Sequence, residues 1–160
     1  MNCIENWASL AKGENNKKEK TMKVTLDRID SDYLFEAKGA SGIPVLIDNK
    51  TRDEVKGSSP MELLLMGVGG CSAIDVISIL KKQKQEIDSY HVEVEGERKE
   101  VKGAKPFEFI SVNVYLEGDI DPAKALRAAN LSFDKYCSVS ITLEPSVTIT
   151  YKIFLNGQEL

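Results

Sequence analysis

The sequence has few of the residues that build most metal and hydrolytic sites. Its 160 residues include one histidine, His91, and three cysteines, Cys3, Cys71 and Cys137. Three dispersed cysteines and one histidine give no zinc-ligand spacing, and any Ser-His-Asp or Cys-His arrangement would have to use His91. His91 shares one face of a predicted strand with glutamates, while valines occupy the other face. The pattern therefore predicts that His91 is a solvated surface residue. An odd number of cysteines argues against a disulfide framework and predicts a cytoplasmic, reducing location.

The sequence also has no excess of positive charge and no long apolar run. The formal net charge is −4, which provides no basic field for nucleic acid. The longest apolar stretch, 63–74, is interrupted by glycines and is shorter than the roughly 20 residues that span a bilayer. Glu5 comes early, and the N-terminus lacks the positive-then-apolar order of a secretory signal. We therefore expect neither nucleic-acid nor membrane partners.

The length of the chain suits one domain with a sizeable core. Residues 1–21 differ from the rest, because a short apolar stripe is followed by a charged linker that contains asparagine and glycine. We predict a flexible N-terminal extension over 1–21 and a single domain over 22–160.

Alternating apolar and polar residues predict six strands in this domain. The first lies near 24–26, the second near 33–37 and the third, mostly buried, at 43–48. Turn-forming residues at 30–32 and 38–42 join these three strands. Further strands are predicted at 90–97, 110–116 and 146–155.

The longest predicted element is a helix over 59–86. Ser59 is its predicted N-cap, Pro60 takes the first helical position, and Glu62 completes a capping box. Apolar residues occur around most of its circumference, which is typical of a helix inside a core or an interface. Glycine inside a helix costs about 1 kcal/mol relative to alanine, so close approach of another backbone or a ligand is expected along this part of the helix. The glycines concerned are Gly67, Gly69 and Gly70.

A second helix is predicted to begin at Pro122, with Asp121 as its N-cap. Its apolar stripe reads Leu126, Ala129 and Phe133. The next step of four reaches Cys137, which closes this helix or follows it directly.

Both predicted helices therefore carry a cysteine on the side that faces the core. If the two helices pack together or across a shared interface, Cys71 and Cys137 could meet. One thiolate could then attack a peroxide oxygen and become a sulfenic acid, and the second thiol could condense with it to a disulfide. The attacking thiol must be partly ionised, which Asp75, one turn after Cys71, opposes if it is charged. The residues alone leave two readings open, a redox pair and two inert buried thiols.

The chain resembles the OsmC/Ohr family of osmotically induced and organic-hydroperoxide-resistance proteins in two motifs. The first is the run Ser-Pro-Met-Glu-Leu-Leu-Leu-Met-Gly-Val-Gly-Gly-Cys-Ser-Ala-Ile-Asp-Val, which contains Cys71. The second is Lys-Tyr-Cys-Ser-Val-Ser, which contains Cys137. The resemblance extends over 22–151 and is strongest to the subgroup described as OsmC-like or predicted redox proteins.

This resemblance implies an α/β (α+β) OsmC-like fold, in which antiparallel strands wrap around a long central helix. It also implies an intertwined homodimer with active sites at the subunit interface. The implied activity is a two-cysteine peroxidase that reduces organic hydroperoxides, uses no bound cofactor and is reduced again by an external thiol. Residue by residue, Cys71 matches the peroxidatic position and Cys137 the resolving position.

Two positions depart from the family pattern. Active members carry a glutamate directly after the proline of the first motif, where this chain has Met61. They also carry an arginine in the N-terminal strand–turn region, whereas 35–45 contains Lys38 and no arginine. The second hypothesis is therefore a non-catalytic dimer that binds a small hydrophobic or acyl ligand, and a purely structural dimer is the third.

Overall fold

The computed structural model describes residues 21–51 and 53–160. The N-terminal extension predicted over 1–21 lies outside the described residues except at its last position, and so does Cys3. The prediction for that segment therefore stays a prediction.

The described part of the chain forms two sheets, three α-helices and one π-helical turn. In chain order the elements are β1 (Thr25–Arg28), β2 (Phe35–Lys38), β3 (Pro44–Ile47), α1 (Pro60–Lys82), β4 (Ser89–Arg98), β5 (Phe107–Glu117), α2 (Pro122–Leu131), the π turn (Ser132–Tyr136), α3 (Ser138–Leu143), β6 (Thr148–Leu155) and β7 (Gln158–Glu159).

The larger sheet has the strand order β4-β5-β6-β7 and is mixed. Strands β4 and β5 form an antiparallel hairpin, whereas β6 pairs with β5 in parallel, with Ile110 opposite Ile149. The prediction of antiparallel strands throughout is wrong at this pair. The physical reason is the long helical crossover between β5 and β6, which returns the chain to the same end of the sheet.

The core lies between one face of the larger sheet and helices α1 and α2. The predicted inward residues of β5 are at most 1% exposed, which confirms their side of the sheet. They are Ile110, Val112, Val114 and Leu116. On the opposite face, the side chain of His91 is 67% exposed and lies 3.5 Å from a carboxylate oxygen of Glu93, so its prediction as a surface residue is confirmed.

Helix α1 begins as predicted and ends at Lys82, four residues before the predicted end. The hydroxyl of Ser59 accepts a hydrogen bond from the Glu62 backbone N–H, and the Glu62 carboxylate accepts one from the Ser59 N–H at 2.8 Å. The interaction with Lys50, followed by the hydrogen bonds from the Ser59 backbone and hydroxyl, lowers the pKa of Glu62 to about 2. The capping box is confirmed.

A neighbour comes close to α1 at Gly69, although it is not the backbone or ligand that the sequence predicts. A Cβ at this position would lie 2.9 Å from Cγ2 of Val94, so glycine lets α1 sit directly against β4. The neighbouring strand supplies a side chain here rather than backbone.

By length and composition alone, α1 could also cross a membrane, since an 18-residue window of it has a mean hydropathy of 2.1. The argument from the shorter run 63–74 therefore does not exclude a span. Helix α1 nevertheless packs against β4 and α2 as a core helix does.

The predicted apolar stripe of α2 is confirmed at Ala129 and Phe133, which are buried, and is wrong at Leu126. Leu126 of α2 is 40% exposed, because the face of α2 that packs in the core carries the smaller residues Ala125, Ala128 and Ala129. Strand β3 was predicted to be mostly buried, but Val45 is 46% exposed. The cause is that β1, β2 and β3 form their own small antiparallel sheet, which does not cover the core helix within this chain.

Candidate functional site

Cys71 lies in the middle of α1, at the border between the buried and exposed sides of the helix, and is half-buried. Asp75 follows one helical turn later and is half-buried as well. The hydroxyl of Ser132, in the π turn, lies 3.4 Å from a carboxylate oxygen of Asp75 and 3.4 Å from the carbonyl oxygen of Ser72. The surroundings of Cys71 are thus tied to the segment that leads to the second cysteine.

Cys137 is fully buried and directly follows the π turn. It is the N-cap of α3, a short helix that the sequence analysis missed. Its sulfur accepts hydrogen bonds from the hydroxyl of Ser140 at 3.1 Å and from the Ser140 backbone N–H at 3.5 Å. The spacing of three between a cap residue and its donor is the signal that could have revealed α3.

The structure brings the two cysteines together. Cys71 is close enough to Cys137 to raise the pKa of its thiol, and both are free thiols. The contact joins two points that are far apart in the chain, one in α1 and one after the π turn.

Burial raises the pKa of the Cys137 thiol above its usual range. The two hydrogen bonds from Ser140 act in the opposite direction, because they stabilise the thiolate, while contact with Cys71 adds to the rise. No cation among the described residues contributes to this shift. At neutral pH Cys137 is therefore protonated and able to donate a hydrogen bond to its neighbour.

A separate cavity of about 580 Å³ lies at the N-terminal end of α1, next to the small sheet. Its walls are mostly apolar, and Met61, one of the two departures from the family pattern, is part of them. The other apolar walls come from Tyr33, Phe35, Ile47, Leu65 and Phe107. Ten residues separate Met61 from Cys71, which is about 15 Å along the helix, so this cavity does not adjoin Cys71 of the same chain.

The side of α1 opposite the core is apolar and uncovered in the single chain. We call it the outer stripe; its residues, spaced by three or four, are Leu63, Met66, Gly70, Ile74 and Ile77. Met66 is 55% exposed and Ile74 is 68% exposed. A Cβ added at Gly70 would meet no atom within 4 Å. An apolar helix face of this kind is typical of a protein–protein contact.

Metal chemistry finds no support in the described residues. Over 21–51 and 53–160, no three histidine, cysteine, aspartate or glutamate side chains are grouped to hold an ion.

Comparisons with known proteins identify the family of this chain and several similar proteins. A protein-family model described as OsmC-like protein matches residues 51–152. The Escherichia coli (strain K12) protein YhfA is 42% identical over 118 residues, which cover 73% of this chain and 86% of YhfA. A crystal structure of a hypothetical protein from Aquifex aeolicus VF5 is 31% identical, with a TM-score of 0.72 over 86% of this chain and 98% of that one.

The organic hydroperoxide resistance protein OhrB of Bacillus subtilis has the same fold. It is 20% identical, with a TM-score of 0.58 over 86% of this chain and 98% of that one. At this identity the likeness concerns the fold alone.

Proposed function

This chain belongs to the OsmC-like protein family, and we propose that it is a two-cysteine, thiol-dependent peroxidase for organic hydroperoxides. The observation that carries the proposal is the contact between a half-buried thiol in α1 and a fully buried thiol after the π turn. A pair of this kind is the minimum needed to convert one peroxide into one disulfide.

The difference in burial supports a different role for each cysteine. Cys71 is half-buried and can meet a small peroxide, whereas Cys137 is enclosed and reacts only with a group that is already in the site. The raised pKa of Cys137 also makes it a poor first nucleophile, because the thiolate is the reactive form. Cys71 is therefore the attacking cysteine and Cys137 the resolving one.

The proposed reaction balances in three steps. The Cys71 thiolate attacks the terminal peroxide oxygen, the O–O bond breaks, and the alcohol leaves with a proton, which gives a sulfenic acid. The Cys137 thiolate then attacks the Cys71 sulfur, an S–S bond forms, and hydroxide leaves and takes up the proton as water. Two molecules of an external thiol reduce this disulfide and become oxidised themselves. No bound cofactor is required, and a reducing compartment such as the cytoplasm supplies the thiol.

We include a homodimer in this proposal, with the outer stripe as the contact between the two copies. The stripe borders Cys71, and Gly70 leaves room for a second backbone to come close. A second copy would shield Cys71 from water and complete an apolar site for the organic part of a peroxide. A self-complementary helix face is the usual basis of a two-fold dimer.

The test is the stoichiometry of the reaction with cumene hydroperoxide. One equivalent added to the reduced protein should remove two of its three thiols and yield one equivalent of cumyl alcohol. The same loss of two thiols is expected in a Cys3→Ser control. An unchanged thiol count, with the peroxide recovered intact, would rule the proposal out.

A second candidate function, binding of a small hydrophobic or acyl ligand, is favoured by the cavity at the start of α1. Its volume of about 580 Å³ and its apolar walls are typical of a small-molecule site. We expect a fluorescent fatty acid to bind saturably, and Leu65→Trp, which fills the cavity, to weaken binding about tenfold. Leu64→Trp is the control, since Leu64 is 40% exposed and does not line the cavity. Equal binding by both variants would exclude this site.

A further inference from the structure

Ser140 touches the sulfur atom that has to form the disulfide. It lies in α3, three residues after Cys137, and is 1% exposed. Both its hydroxyl and its backbone N–H donate to the Cys137 sulfur, at 3.1 and 3.5 Å. Ser140 is the last residue of the Lys-Tyr-Cys-Ser-Val-Ser motif, but it has no part in the roles assigned above.

We propose that Ser140 is the hydrogen-bond donor that makes Cys137 competent to resolve, and that its hydroxyl sets the rate of disulfide formation without affecting the attack of Cys71 on the peroxide. This inference rests on the redox pair proposed above.

The physical reason lies in the burial of Cys137. Its attack on the Cys71 sulfenic acid requires a thiolate, yet a thiolate in an apolar, water-free position is strongly disfavoured. Among the described residues, no cation offsets the cost of burying the Cys137 thiolate. Its negative charge can therefore be stabilised only by hydrogen-bond donors. The Ser140 hydroxyl is the shorter of the two contacts, and a hydrogen bond to a charged acceptor is about twice as strong as one between neutral groups.

The same bonds hold the sulfur in position. The backbone N–H fixes Cys137 at the start of α3, and the hydroxyl approaches the sulfur as a second donor. The thiol proton is then free to point towards Cys71, the neighbouring thiol that also raises the pKa of Cys137. Ser140, Cys137 and Cys71 thus form a short chain that ends at the attacking sulfur.

The experiment follows Cys137 without any peroxide, in full-length Cys3→Ser protein with dithiobis-nitrobenzoate as the probe. Cys71 attacks the reagent and releases one thionitrobenzoate; the Cys137 thiolate then attacks the Cys71 mixed disulfide and releases a second. Ser140→Thr keeps the hydroxyl, whereas Ser140→Val has nearly the same shape without it. We expect the second release to be about tenfold slower in Ser140→Val than in Ser140→Thr, with its pH midpoint about one unit higher.

The rate of the first thionitrobenzoate release should be equal in the two variants, because this release depends on Cys71 and the Ser140 hydroxyl is proposed to act on Cys137 alone. Ser138→Ala, an exposed neighbour of Cys137, is the control and should behave as the parent protein does. Equal second-phase rates and midpoints in Ser140→Thr and Ser140→Val would overturn the inference. A protein that shows this Ser140 effect but does not consume cumene hydroperoxide would leave the inference standing and refute the peroxidase proposal.

Discussion

Replacing Cys71 by serine should lower hydroperoxide turnover at least about a thousandfold, because the reaction then has no thiolate to attack the O–O bond. The measurement is the consumption of cumene hydroperoxide in the presence of dithiothreitol. Serine is the right replacement, since it is close to cysteine in size and the position is only half-buried. The fold should survive, and circular dichroism and the melting temperature provide the check.

The Cys137→Ser protein is the informative partner of this variant. It should still reduce one equivalent of peroxide quickly, because Cys71 is untouched, but the Cys71 sulfenic acid should persist and be trapped by dimedone. With excess peroxide it should then oxidise further and lose activity. If Cys71→Ser retains full turnover, or if both variants lose the first step equally, the assignment of roles is wrong.

Replacing Ile74 by glutamate should convert the proposed dimer into monomers. Ile74 is the most exposed large apolar side chain of the outer stripe in the single chain, at 68%, and in a dimer it would be buried against the second copy. An unpaired carboxylate in such a contact costs several kcal/mol, so we expect the dissociation constant to rise at least about a hundredfold. Light scattering during size-exclusion chromatography measures the change in mass.

Leu126→Glu provides the matched control. Like Ile74, Leu126 is an exposed aliphatic residue, at 40%, but it lies on α2 and is not part of the outer stripe. It should leave the mass unchanged. If the outer stripe simply faces water, both substitutions would be neutral within about 0.5 kcal/mol and the oligomeric state would not change. That result would remove the dimer from the proposal.

Local rules were sufficient for the parts of the fold that short-range chemistry decides. The capping box depends on Glu62 following Ser59 by three residues. The inward face of β5 depends on apolar residues at every second position. Asp121 and Pro122 begin α2 for the same kind of reason. Each of these features is settled within a few residues, so the sequence pattern predicts it directly.

The features that were missed depend on how distant elements pack. The parallel pairing of β6 with β5 follows from the path of the helical crossover, which no period in the sequence records. Leu126 looked like a core residue, but the close packing of α1 and α2 selects alanines for the contact. The exposure of β3 depends on which other element covers the small sheet, and the residues of β3 do not determine this. The meeting of Cys71 with Cys137 could be proposed from two helical stripes, whereas Ser140 emerged only from the geometry of α3.

The most direct test of the redox pair is a mass spectrum of the protein after one equivalent of cumene hydroperoxide. The account predicts that the chain loses the mass of two hydrogens and that proteolysis without reductant releases one linked peptide containing Cys71 and Cys137 of the same chain. Recovery of both thiols unmodified, or of Cys71 as a sulfinic acid with Cys137 still free, would contradict it.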